Sequence, residues 1–190
     1  MALIDIIIAS ASNPSKEYSW WKSLWKLNIP PKVKIFIWQA CLNAIPSKEN
    51  LWKKKVVSGP CCDRCASHVE TSSYALFGYK KARLVWRESR FGNLLANLRT
   101  LFMLDVLSLL AGKIAADDLN LVCMISWAIW ENHNFFLNNG KARDSDLVVC
   151  WALELMGEFM NSKRALSPIS HSPPIRRSSR CLGCGNCYQR

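Results

Sequence analysis

The stretch Pro30-Pro31-Lys32-Val33-Lys34-Ile35-Phe36-Ile37-Trp38-Gln39-Ala40-Cys41-Leu42-Asn43 decides the reading of the fold. Its two prolines suit a helix entry, where the missing amide hydrogens are no loss. Val33, Phe36, Ile37 and Ala40 then recur at helical spacing, which predicts a helix over 32–43. The same period extends outward. Ser47 is a candidate N-cap for a short helix carrying Leu51 and Trp52 and ending near Gly59 and Pro60. Thr71 caps a stretch to about Phe77, and Lys80 to Glu88 is another helical window. Leu94 to Leu110, Asp117 to Asn138 and Asp144 to Lys163 have helical length and period. The expected class is all-α: a small helical domain, then a helical bundle segment. A strand at Leu3 to Ile8 is the single extended candidate.

Charge divides the 190 residues unevenly. The net charge is +11, and residues 16–90 hold 15 Lys or Arg against 5 acids. Residues 91–166 are slightly acidic, and the last stretch has four Arg and no acid. This predicts four parts: an N-terminal extension (1–15), a basic domain (16–90), a helical linker-type region (91–166) and a disordered Arg/Ser/Cys tail (167–190). Half of the residues are hydrophobic, so the folded part can bury a core.

Several function classes are excluded by pattern. The longest apolar stretch, around Leu121 to Trp130, is too short to span a bilayer. The first residues lack the basic start of a signal peptide and carry Asp5. The expected setting is therefore intracellular, nucleus or cytoplasm, with nine reduced cysteines. No Gly-rich phosphate loop, zinc-protease helix or acidic metal cluster is recognised, and the sequence pattern assigns no catalytic nucleophile to His68 or His133. Asp117-Asp118 reads as the start of a helix, and no catalytic role is expected.

Cys61-Cys62-Asp63-Arg64-Cys65 contains a Cys-x-x-Cys pair, a spacing that lets two thiolates grip one zinc from a tight turn. A tetrahedral site needs two more ligands, and His68 is the nearest candidate. Three readings stay open. Zinc sits on Cys62, Cys65 and His68 with Cys61, a remote cysteine or water as the fourth ligand; or the site is dead and helix packing holds the domain; or metal bridges to the tail. There, Cys181-Leu182-Gly183-Cys184-Gly185-Asn186-Cys187 presents three thiols but lacks the following proline of a ferredoxin run.

The segment Trp25-Lys26-Leu27-Asn28-Ile29-Pro30-Pro31 through Gln39-Ala40, with Asn43-Ala44-Ile45-Pro46-Ser47, Asn50-Leu51, the Cys62–Cys65 pair, Glu70-Thr71 and Ala82 through Trp86, carries a wider pattern. It resembles the zinc-binding domain downstream of the reverse transcriptase in plant LINE-type (non-LTR) retrotransposons. Trp127-Ala128-Ile129-Trp130-Glu131-Asn132-His133-Asn134 is similar to the helical segment that links that domain to ribonuclease H, where a basic residue followed by Asn usually stands in place of His133-Asn134. The resemblance implies two further zinc ligands, a His four residues and a Cys nine residues after Glu70. Here those positions hold Tyr74 and Tyr79, whose phenols are protonated at neutral pH and bind zinc poorly.

The resemblance implies a module that assists a reverse transcriptase with its template. Independently, tryptophans among lysines are what single-stranded nucleic acid requires: aromatic faces stack on bases while ammonium groups neutralise phosphates. The candidate residues are Lys22, Lys26, Lys32, Lys34, Lys53, Lys54, Lys55 and Trp25, with RNA or DNA as partner. The competing expectations are a helical protein–protein interaction module, with Leu147, Trp151, Leu155 and Phe159 as a stripe, or a decayed retroelement product.

Overall fold

The computed structural model describes residues 21–95 and 101–165. The expected strand at Leu3 to Ile8, the N-terminal extension and the Arg/Ser/Cys tail lie outside the described residues. The fold is all-α. After a helical turn at 21–26 come α1 (Pro31–Cys41), α2 (Lys48–Lys53), a π-helical turn (Tyr74–Gly78), α3 (Lys80–Glu88), α4 (Gly92–Leu95), α5 (Met103–Leu110), α6 (Ala116–Asn139) and α7 (Ser145–Ala165). Extended pairing among the described residues is limited to isolated bridges, Cys61 with Val69 and Ala111 with Ile114.

The long helix α6 is the hub, contacting α1, α7 and the π turn, while α3 packs on α7. Its residues Leu119 through Trp130 are all buried. A helix apolar on every side has to be surrounded, and this one is. Three of its four buried polar residues have hydrogen-bond partners. Ser126 donates to the Val122 carbonyl, Asn120 accepts from the Asn28 amide, and Asn132 exchanges two hydrogen bonds with the Arg143 backbone. Gly140, at φ +69°, closes α6 in the left-handed conformation that glycine adopts without strain. Asp117 and Asp118 open α6 as expected, and Asp118 accepts from Arg90. No described helix is long and apolar enough to cross a membrane. Buried side chains form one cluster running from Leu24 through α1, α3, α5 and α6 to Ala152 in α7.

Four expectations about helices need correction. α2 ends at Lys53, well before Gly59, because Lys55 turns left-handed (φ +59°) and the Val56 amide bonds back to the Leu51 carbonyl. Asn43 (φ +50°) and the Ala44-to-Gln39 hydrogen bond end α1 in the same way. The single helix expected over Leu94 to Leu110 is instead α4 and α5: Phe102 is extended, and Asp105 lies in the first turn of α5, where free amides favour a carboxylate. On α7 the buried residues are Val148 and Ala152; Leu147, expected in the apolar stripe, is exposed, while Trp151 packs 5.2 Å from the Trp127 ring.

Candidate functional site

Residues 60–79 build the candidate site, a knuckle followed by the π turn. The knuckle is a short hairpin. The Cys62 amide donates to the His68 carbonyl (2.9 Å), and the Glu70 amide donates to the Pro60 carbonyl (2.9 Å). At its tip the Ala66 amide returns to the Cys62 carbonyl (2.8 Å), with Ala66 left-handed at φ +51°. That geometry curls Cys62 and Cys65 around one turn. Thr71 then caps the next segment, as expected, its hydroxyl accepting from the Tyr74 amide (2.9 Å). The Tyr79 amide reaches back five residues to the Tyr74 carbonyl (2.7 Å), which makes the turn π-helical.

The wide turn has a direct effect on the site. Positions five apart come to the same side, so Tyr74 and Tyr79 meet edge to face with ring centroids 6.2 Å apart. Gly78 makes room for this: a Cβ there would stand 2.8 Å from the Tyr74 ring. Tyr74 places its hydroxyl 3.2 Å from the Cys65 sulfur, and the His68 ring stacks on it at 5.3 Å. The Arg64 guanidinium lies over the Tyr79 ring (4.7 Å) and over Phe136 of α6 (4.2 Å).

Beneath the knuckle lies a buried polar hub. Glu70 is 1% exposed and His133 of α6 is 3% exposed. Glu70 Oε1 accepts from the Lys48 amide (3.2 Å) and lies 3.4 Å from His133 Nε2. Glu70 Oε2 and His133 Nε2 have no aligned hydrogen bond, so the pair is a close buried polar contact. Burial opposes ionisation of Glu70, but His133, the Cys62 thiol and the Lys48 amide outweigh it and hold its pKa below the ordinary value.

The two knuckle thiols are driven apart. Burial, then the hydrogen bond to Glu70, pushes the Cys62 thiol up to about 12. Hydrogen bonds led by Tyr74, with Ser67 following, bring Cys65 down to about 6. Tyr74 is raised by burial and by Cys65, so its phenol stays protonated and acts as donor.

These contacts test the fit to zinc. Cys62 is buried, Cys65 engages Tyr74, and exposed His68 pairs its Nδ1 with the Ser67 hydroxyl at 2.8 Å. Among the described residues no three His, Cys, Asp or Glu side chains gather where a metal ion could be held. Tyr74 lies against Cys65, and the phenols of both tyrosines keep their protons. The described donor set therefore does not fit a four-ligand zinc site. Cys61 is exposed on the outer side of the hairpin, and the Cys181–Cys184–Cys187 tail lies outside the described residues.

The candidate nucleic-acid residues fall into two groups. Trp25 is 49% exposed and its carbonyl accepts from Lys34 Nζ (2.8 Å), which joins 21–26 to α1. Lys22 and Lys26 are exposed beside it. Lys34 is half-buried, and burial followed by the charge of Lys163 lowers its pKa. Lys32 lies 4.3 Å from the Trp127 ring centre. Lys53, Lys54 and Lys55 lie apart from these at the end of α2, with Lys53 paired to Glu49 at 2.8 Å. Trp38 (40%) and Trp52 (47%) are exposed too, whereas Trp86 is buried and donates to the Leu76 carbonyl.

Sequence reasoning left out Glu70, Arg64 and Phe136 as parts of one site. The two words that meet there, Glu70-Thr71 and His133-Asn134, belong to separate stretches of the sequence, and only the fold brings Glu70 against His133. No curated protein and no solved structure matches the chain. Residues 7–86, which carry α1, the knuckle, the π turn and most of α3, match the family model described as zinc-binding in reverse transcriptase.

Proposed function

We propose that the chain is a non-catalytic module derived from a plant LINE-type retrotransposon, and that its basic N-terminal half binds single-stranded RNA or DNA. The carrying observation is that Trp25, Trp38 and Trp52 expose 40–49% of their surface within a segment of strong positive balance. Large aromatic faces left in water beside ammonium groups are suited to stacking with phosphate neutralisation. Residues 91–165 then serve as the scaffold that linked this domain to a following unit, in the nucleus or cytoplasm. Fluorescence titration of the full chain with an unstructured oligonucleotide tests this reading. Expected are quenching of exposed tryptophan, affinity that falls steeply between low and high salt, and about tenfold weaker binding for Trp25→Ala, from the loss of one stacked base. Binding that ignores both salt and Trp25 overturns it.

A second reading has its own observation. Leu147 and Leu153 stand exposed on α7, which supports a helical protein–protein interaction module as the alternative. Such docking is apolar and persists at high salt.

A further inference from the structure

We infer that the knuckle of this protein is a metal-independent hairpin, fastened to helix α6 by Glu70–His133 and Arg64–Phe136 and closed over Cys65 by Tyr74. The inference goes beyond nucleic-acid binding and does not depend on it.

A structural zinc has two tasks in a small loop-rich segment. It ties the two arms of the turn to later chain, and it satisfies thiolates that would otherwise lie unpaired. Here other groups perform each task. The later chain is tied by the π turn, which brings Tyr74 against Cys65 at 3.2 Å and Tyr79 against Arg64 at 4.7 Å. The knuckle is tied to the core at two points three residues apart on α6. Glu70 meets His133 at 3.4 Å, and Arg64 lies over Phe136 at 4.2 Å. Residues at that spacing share one helix face, so the two contacts act as a clamp rather than a hinge. The Cys65 sulfur is met by the Tyr74 hydroxyl at 3.2 Å, and Cys62 is buried beneath the hairpin. Metal at Cys65 would have to break the contact with Tyr74. The hairpin's own ladder, from Pro60–Glu70 through Cys62–His68, needs neither.

The test uses the full chain, reduced, with zinc per chain measured by elemental analysis and unfolding followed by circular dichroism. Zinc on the tail cysteines is separated by comparing the parent with Cys62→Ser/Cys65→Ser. Expected are the same zinc content in both and a parent Tm that a strong chelator leaves unmoved. Tyr74→Phe, which removes only the hydroxyl, lowers Tm by about 3 °C, the loss of one ordinary hydrogen bond in a chain of this size. Tyr74→His/Tyr79→Cys replaces the phenols by an imidazole and a thiol, and it gains one zinc per chain with a chelator-sensitive Tm. A parent that loses one zinc equivalent on Cys62→Ser/Cys65→Ser, or whose Tm falls in chelator, overturns the inference.

Discussion

The knuckle and helix α6 are held by opposite means. α6 buries an unbroken run from Leu119 to Trp130, and its fit depends on volume and on excluding water. The knuckle, residues 60–70, buries only Cys62 and Glu70, and its shape depends on which donor meets which acceptor. Apolar packing is tolerant of sequence as long as size is kept, whereas a polar hub loses a defined contact with each substitution. The comparison teaches where this chain can drift. Two phenols can stand near a zinc-type turn only because the rest of the hairpin is anchored through other groups.

The comparison breaks most sharply at the core. Ile125→Ala in α6 should cost about 3 kcal/mol in chemical denaturation, from lost burial and the cavity left behind. If the knuckle is truly tied to α6, its protection in hydrogen exchange at Cys62 and Glu70 falls by the same amount; a loss confined to α6 separates the two regions. Next comes the hub. Glu70→Ala removes a buried carboxylate and strands the Lys48 amide and His133, for a loss of about 2 kcal/mol. The sign of its pH dependence follows from the lowered pKa: ionised Glu70 stabilises the fold above its unfolded value of about 4.5, and the contribution fades as pH falls below that toward the folded pKa. An acid titration of stability in parent and Glu70→Gln should converge at low pH.

A smaller effect sharpens the contrast between the two thiols. With Cys65 at about 6 and Cys62 at about 12, iodoacetamide at pH 7 should label Cys65 well before Cys62, as mass spectrometry of a time course would reveal. Equal rates would show that Tyr74 does not hold the sulfur. Smallest of all, Lys53→Ala at the exposed end of α2 removes an i,i+4 pair with Glu49 worth about 0.4 kcal/mol, a shift barely visible in Tm.

The sequence exposed the core more readily than the site. Periodicity placed α3 at Lys80–Glu88 and α6 to within a residue at each end, because an apolar helix face repeats locally. It missed the ends of α1 and α2, where Asn43 and Lys55 adopt left-handed angles that side-chain type only weakly signals. It located the Cys-x-x-Cys turn and the two tyrosines standing beyond it, and the Ser47 cap, whose hydroxyl accepts from the Asn50 amide. What it did not give was the hub, since Glu70 and His133 are 63 positions apart and meet only when α6 passes under the knuckle. The tryptophans divide for the same reason. Trp86 and Trp25 look alike in composition, and only the packing makes one a core residue and the other a surface face.

Gly78 carries one more consequence, for the order in which this protein can change. Any side chain there would press on the Tyr74 ring, so Gly78 is free to vary only after residue 74 has lost its aromatic ring. A smaller group at 74 would open position 78, whereas a side chain at 78 would expel the ring and uncover Cys65. Each of the two positions therefore limits what the other can hold.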